Sequence, residues 1–173
     1  MSDKFACISV PEFSLIVGPD RWDDLGLVAS TVYLEADGEP DEGKLAVAYV
    51  IVNRRDTWHL PVRHVILGPE GSAWADSKPH EAFSCWNDDY RPIAESRLAA
   101  AGQQERCWWA AAAALWRMLP DPTHGATFYL NVPLTLKIRK GTLPTWAADP
   151  TDPTRPDPHK VAAVINRHTF LRA

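Results

Sequence analysis

The sequence has no basic run longer than three residues, and its 173 residues carry a formal net charge of −4. Phosphate backbones demand a concentrated positive face, so no nucleic-acid partner is expected. The same acidity argues against strong electrostatic docking on an anionic surface. Cysteine is scarce: Cys7, Cys85 and Cys107 cannot all pair within one chain. No CxxC occurs, so neither a disulfide framework nor a zinc knuckle is implied. HExxH is also missing. His59 and His64 are five residues apart, which does not stack them on one helix face, and His80, His124, His159 and His168 are isolated. No metal or other cofactor is therefore expected. GxSxG, P-loop and GxGxxG patterns are absent as well. The start of the chain, "MSDKFACISVPEFSLIVGPDRWDD", has no basic segment followed by a long apolar one, because Pro11, Glu12 and Gly18 interrupt it. The expectation is a protein made in the cytoplasm without a signal peptide or a membrane-spanning helix.

What is present is apolar chain, proline and tryptophan. Apolar residues make up 46 %, enough for a core at a length that suits one domain over residues 1–173. Fifteen prolines point to long ordered loops, and eight tryptophans exceed ordinary use. Tryptophan is usually core, but flat rings also line sugar-binding clefts.

Hydrophobic spacing predicts mainly helix. A first helix is expected from about Trp22 to Ala36. Asp23 and Asp24 suit its positive end, and Leu25, Val28, Ala29, Val32, Tyr33 and Ala36 form one stripe. Gly38 fits the helix exit, where positive φ is cheap for glycine. Pro40 fits the first turn of a second helix, with Glu42 placed to satisfy its orphan amides. The apolar run Leu45–Val52 then reads as a central buried helix, with a buried strand as the competing assignment. A short helix is expected at Val62–Leu67, a long ordered loop over residues 68–91, and a helix from Pro92 to Ala101 closed by Gly102. Gln104–Leu119 reads as a helix stopped by Pro120, with five consecutive alanines and a face of Trp108, Ala112, Leu115 and Leu119. "GATFYLNV" and "KVAAVINRHTFL" are strand-like. Between them, five prolines fall between Pro144 and Pro158, which reads as a loop laid over the surface. Residues 1–20 read as an irregular arm with a short strand at Phe13–Val17. The fold class is thus mainly α (α+β), with a small antiparallel two-stranded patch.

Glu35 is the sharpest chemical candidate. It stands at the edge of the first helix's apolar stripe, near a break at Gly38, where a cleft can open. Desolvation at such an edge favours the protonated form that a general acid needs. Glu39 follows four residues later, and on spacing alone both glutamates read most simply as solvated charges. Cys85 is the candidate thiol, with His124 or His168 as base. It lies beside acidic residues that disfavour a thiolate, so a small buried apolar role fits it better. Trp86 and Asn87 in "FSCWND", Tyr129 and Asn131 in "TFYLNV", Trp146 in "PTWA" and His168 in "INRHTF" matter together. Rings and amides gathered from several loops around one carboxyl suit a carbohydrate.

The order of these segments, "YLEADGEPDEGKLAVAYVIVNR", "FSCWND", "GATFYLNV", "PTWA" and "VINRHTFL", resembles the SleB/CwlJ-type cell-wall hydrolase family over about residues 24–171. It is most similar in style to versions in phage and proteobacterial lysis proteins. The resemblance implies a small lysozyme-like fold and peptidoglycan glycan strands as partner. It implies cleavage of the β-1,4 bond between N-acetylmuramic acid and N-acetylglucosamine. The family's catalytic glutamate falls on Glu35, and members resemble lytic transglycosylases more than water-using hydrolases. Trp86, Asn87, Tyr129, Asn131 and His168 are then expected to bind the sugar, and Glu39 to support the Gly38–Pro40 turn. The family often has arginine where this chain has Asp37. An endolysin-like protein acting on the wall after release is implied. A hydrolytic muramidase using Asp37 or Glu39 as second carboxylate stays open, as do a zinc- or cysteine-dependent wall amidase and a non-catalytic glycan-binding module.

Overall fold

A computed structural model describes residues 23–68, 83–86, 90–100 and 104–172. The expected arm at residues 1–20, its strand at Phe13–Val17, Gly102 and most of the loop at 68–91 lie outside the described residues.

Helix α1 spans Asp24–Ala36, and Asp23 caps it by accepting from the Gly26 amide at 2.7 Å. Helix α2 spans Asp41–Trp58. Pro40 sits at its N-cap in extended conformation, one position earlier than expected. The run Leu45–Val52 is helical and buried throughout, which resolves the helix-or-strand choice for helix. Gly38 does not adopt a positive φ. The α1 exit is held instead by Lys44, whose ammonium donates to the carbonyls of Asp37, at 2.8 Å, and Glu39. The Asp37 carbonyl belongs to the helix end, where acceptors lack intrahelical partners, and a lysine is a natural cap for it. Helix α3, Val62–Leu67, packs Val62, Val65 and Ile66 into the same core.

Helix α4 covers Arg91–Ala100, and helix α5 covers Glu105–Leu115. The α5 alanines are the buried face: Ala110, Ala111, Ala113 and Ala114 are in the core with Cys107. Trp108 and Leu115 are only half-buried and Leu119 is exposed, so the expected apolar stripe is corrected. Small side chains let α5 lie close against α1 and α2. The helix also stops earlier than Pro120 requires. Arg117 takes a left-handed conformation at φ 50°, the Met118 amide reaches the Ala113 carbonyl at 2.8 Å, and the Arg117 amide reaches Ala114 at 3.1 Å. That is a Schellman closure with arginine where glycine is usual.

Strands β1 (Phe128–Leu130), β4 (Val161–Ile165) and β5 (His168–Leu171) form an antiparallel sheet in the order β1-β5-β4. The segment read as one strand is therefore a hairpin, turned at Asn166 with φ 49°. Asparagine tolerates that region better than most residues. Tyr129 pairs with Phe170 and Leu130 with Thr169, and Ile165 faces His168. A short helix, α6 (Val132–Ile138), follows β1. The proline-rich stretch is laid over the surface as expected, but with order of its own: β2 (Ala148–Asp149) pairs with β3 (Asp152–Pro156). Beneath it Leu143 and Ala147 join Leu130 and Leu171 in a second small core. The fold is thus mainly α with a small antiparallel sheet, one strand larger than expected, plus a ribbon.

Candidate active site

The sheet is pinned to α2 through Asn53 and Arg54. Asn53 donates to the Asp121 carboxylate at 3.0 Å, the Thr123 hydroxyl at 3.2 Å and the Ala126 carbonyl at 3.0 Å. Asp121 also accepts from the Thr123 and Gly125 amides. Burial pushes its carboxyl up, but these hydrogen bonds outweigh burial and hold it below the usual range. Arg54, 5 % exposed, donates to the Thr127 carbonyl at 2.6 Å and lies over the rings of Phe83, Trp58 and Phe128. Thr127 leads directly into β1. These contacts fix where β1 begins, and hence where Tyr129 points.

Tyr129 points to Glu35. Its hydroxyl donates to Glu35 Oε2 at 2.8 Å. Burial, the neighbouring Glu35 charge and this hydrogen bond all push the phenol well above its ordinary value, so it remains a donor. The Cys85 thiol also hydrogen-bonds to Glu35, and burial first, then the Glu35 charge, push it far up. A thiol so placed is not a nucleophile at neutral pH. Glu35 itself is half-buried on the last turn of α1.

Glu39 is placed differently. Its side chain is only 3 % exposed. It accepts from the Asn166 amide, from Arg167 Nε at 3.0 Å and from a second Arg167 nitrogen at 2.8 Å. Burial pushes its carboxyl up, but the Asn166 and Arg167 hydrogen bonds and the charges of His168 and Arg167 hold it below the usual range. Glu39 therefore clamps the β4–β5 turn, while Lys44 holds the Gly38–Pro40 turn. Gly43 is explained by the same clamp. A Cβ there would meet Glu39 Cβ at 2.9 Å, so only glycine leaves room for the folded-back glutamate.

The remaining residues expected to bind the sugar take different places, and of these His168 lies beside Tyr129. Trp86 is buried, and its indole N–H donates to the Thr31 hydroxyl at 2.9 Å. It is a core residue here, because Thr31 on α1 supplies the partner that a buried indole needs. Asn131 caps α6 by accepting from the Leu134 amide at 3.0 Å. His168 stands edge-on to the Tyr129 ring, 5.3 Å between centroids, with Nδ1 3.9 Å from Glu39 Oε2. Burial lowers its pKa below the ordinary value, although Glu39 and Glu35 oppose that. It is packed between the two carboxylates. Asn87 lies outside the described residues. Trp146 packs on Phe128 at 5.1 Å, on the other face of β1 from Tyr129.

Sequence reading missed Lys44, Arg54, Asn166 and Arg167. Lys44 had a signal, a charge heading an apolar run. Asn166 had one too, a turn former between two β-rich segments. Among the described residues, no three His, Cys, Asp or Glu side chains gather as metal ligands would. No helix among them is long and apolar enough to cross a membrane.

The fold and the site define a class first: a helical enzyme domain edged by a small sheet, with a carboxyl held at a helix end. The family model described as cell wall hydrolase matches residues 38–171, most of the chain, beginning three residues after Glu35. The chain belongs to the cell wall hydrolase family and is a peptidoglycan-degrading enzyme. No curated relative matches it. Two solved structures are similar. The catalytic domain of SleB from Bacillus cereus shares 26% identity, with a TM-score of 0.53 over 86% of this chain and 89% of that one. The catalytic domain of the germination-specific lytic transglycosylase SleB from Bacillus anthracis shares 23% identity, with a TM-score of 0.53 over 90% and 100%. The second likeness bears on the fold alone.

Proposed function

We propose that the enzyme is a lytic transglycosylase in which Glu35 serves as both acid and base, cutting the β-1,4 bond after N-acetylmuramic acid. Protonated Glu35 gives its proton to the glycosidic oxygen as the C1–O4 bond breaks. The muramyl C6 hydroxyl attacks C1, and Glu35 takes the hydroxyl proton. The product carries a 1,6-anhydro ring, and Glu35 returns to its starting state. Tyr129 donates to Oε2 and so fixes the orientation in which the carboxyl meets the glycosidic oxygen. Its hydrogen bond strengthens when Glu35 becomes a carboxylate.

The observation that carries this reading is the fate of the second carboxylate. A hydrolytic muramidase usually needs two at a set separation. Glu39 is buried under Asn166 and Arg167. Asp37 is exposed and two helical positions from Glu35, so it faces away from it. Neither carboxylate considered as a partner among the described residues is therefore free to act beside Glu35. The raised Cys85 thiol weighs against a cysteine-dependent amidase. Action on the wall after release from a cytoplasm, as an endolysin-like lysis protein, belongs to the same proposal and rests on the likeness of its motifs.

Glu35→Gln keeps shape and removes the proton. On purified peptidoglycan it is expected to lower the rate about 10²- to 10⁴-fold, the usual weight of general acid–base catalysis. Near wild-type lysis by Glu35→Gln would refute the assignment.

A further inference from the structure

Glu39 and Glu35 are connected by two routes that share Tyr129. The first runs through backbone. Glu39 accepts from Asn166 and Arg167, the turn residues of the β4–β5 hairpin. Strand β5 begins at His168 and is paired with β1 from Thr169 to Leu171, Tyr129 lying opposite Phe170. The second route runs through side chains. His168 Nδ1 faces Glu39 Oε2 at 3.9 Å, and the same imidazole stands edge-on to Tyr129. The Phe170 ring adds a second contact, 5.8 Å from Tyr129 between centroids. Tyr129 then donates to Glu35.

We propose that Glu39 is a positioning residue: it anchors the β4–β5 turn so that Tyr129 holds Glu35 in reacting orientation. Two features support a built device rather than an incidental ion pair. The clamp takes a carboxylate almost out of water, which is costly unless its hydrogen bonds are met. The chain also keeps Gly43 in the first turn of α2, where its missing Cβ makes room for the folded Glu39 side chain. Rate depends steeply on such placement, since misplacing a reacting group by about 1 Å can cost on the order of 10²-fold. This inference rests on Glu35 as the acid and base.

The test is a double-mutant cycle between Glu39→Ala and Tyr129→Phe, read as kcat and KM on soluble glycan strands. Glu39→Ala is expected to lower kcat about tenfold, with KM within about twofold. In the Tyr129→Phe background the same change is expected to cost less than about twofold, because the relay is already cut. Glu39→Gln keeps an acceptor for Arg167, and Asn166 can turn its amide to match, so most of the rate should return. Should Glu39→Ala fail to fold, Arg167→Ala breaks the same clamp from a mostly exposed side chain and should give the same non-additive pattern. Equal losses in both backgrounds would overturn the proposal, as would Glu39→Gln behaving like Glu39→Ala. Glu35→Gln on the same strands keeps the two readings apart. Full activity there refutes the role of Glu35, whereas additivity in the cycle refutes only that of Glu39.

Discussion

The Tyr129 hydroxyl donates to Glu35 Oε2 at 2.8 Å across 94 residues of sequence, joining the last turn of α1 to the first strand of the sheet. In the proposed reaction Glu35 becomes a carboxylate as its proton leaves, and a hydrogen bond to such an ionised group contributes about 1.5–3 kcal/mol. Tyr129→Phe removes that bond and little volume. Activity on peptidoglycan is expected to fall about tenfold or more in kcat with KM nearly unchanged. Thermal melting alongside the kinetics checks that the fold survives. A rise in KM with unchanged kcat would instead make Tyr129 a plain sugar contact.

Cys85 supplies a second prediction. Burial and Glu35 keep it a thiol, so iodoacetamide at neutral pH should leave it unmodified in the folded enzyme, as read by mass spectrometry. Cys85→Ser retains a donor toward Glu35 and should keep most of the activity, whereas Cys85→Ala should lower it several-fold. A nucleophilic cysteine would lose activity in both variants.

Gly43 sets helix propensity against packing. Alanine in place of a helical glycine gains about 1 kcal/mol. Here the new methyl would lie 2.9 Å from Glu39 Cβ, an overlap that costs about 1–3 kcal/mol or displaces the clamp. Packing should win, so Gly43→Ala is expected to lower the urea midpoint rather than raise it.

His168, half-buried, and Glu39, buried, each contribute to the acid dependence of stability. The His168 pKa is lowered from its ordinary 6.5 because burial disfavours the imidazolium. The unfolded chain therefore binds more protons in the window just below 6.5, and stability should fall as pH drops through it. Glu39 is also lowered, from an ordinary 4.5, so its contribution is present above that value and is lost on further acidification. Two successive losses are expected in a series of urea melts from pH 7 to 3. His168→Gln should remove the upper one and leave the lower.

Much of the helical frame was legible because its signals are local. Acidic Asp23 and Asp24 at a helix start, Gly38 and Pro40 at a break, and the length of the apolar run after them follow from residue chemistry alone. The candidate site is less legible in the sequence than the helices. Glu35 is a candidate from its edge position and the favoured one only through the likeness of its motif, and the roles around it depend on contacts between distant segments. Trp86 and Tyr129 look alike as ring-bearing loop residues, yet Thr31 draws one into the core and Glu35 receives the other. Asn131 looked like a sugar ligand because a helix as short as α6 leaves little periodicity to announce a cap. Glu39 was read as part of its own turn, since nothing near it in sequence shows that Asn166 and Arg167 arrive from 127 and 128 residues away.

In the proposed reaction one carboxyl does the work of two, with the sugar's own hydroxyl in place of water. Mass spectrometry of muropeptides released from purified peptidoglycan tests it most directly, because anhydro ends and reducing ends differ by one water. Wild-type enzyme should release 1,6-anhydromuramyl ends, and Glu35→Gln almost none. Reducing muramyl ends as the main product would contradict it and return a second carboxylate, or an activated water, to the mechanism.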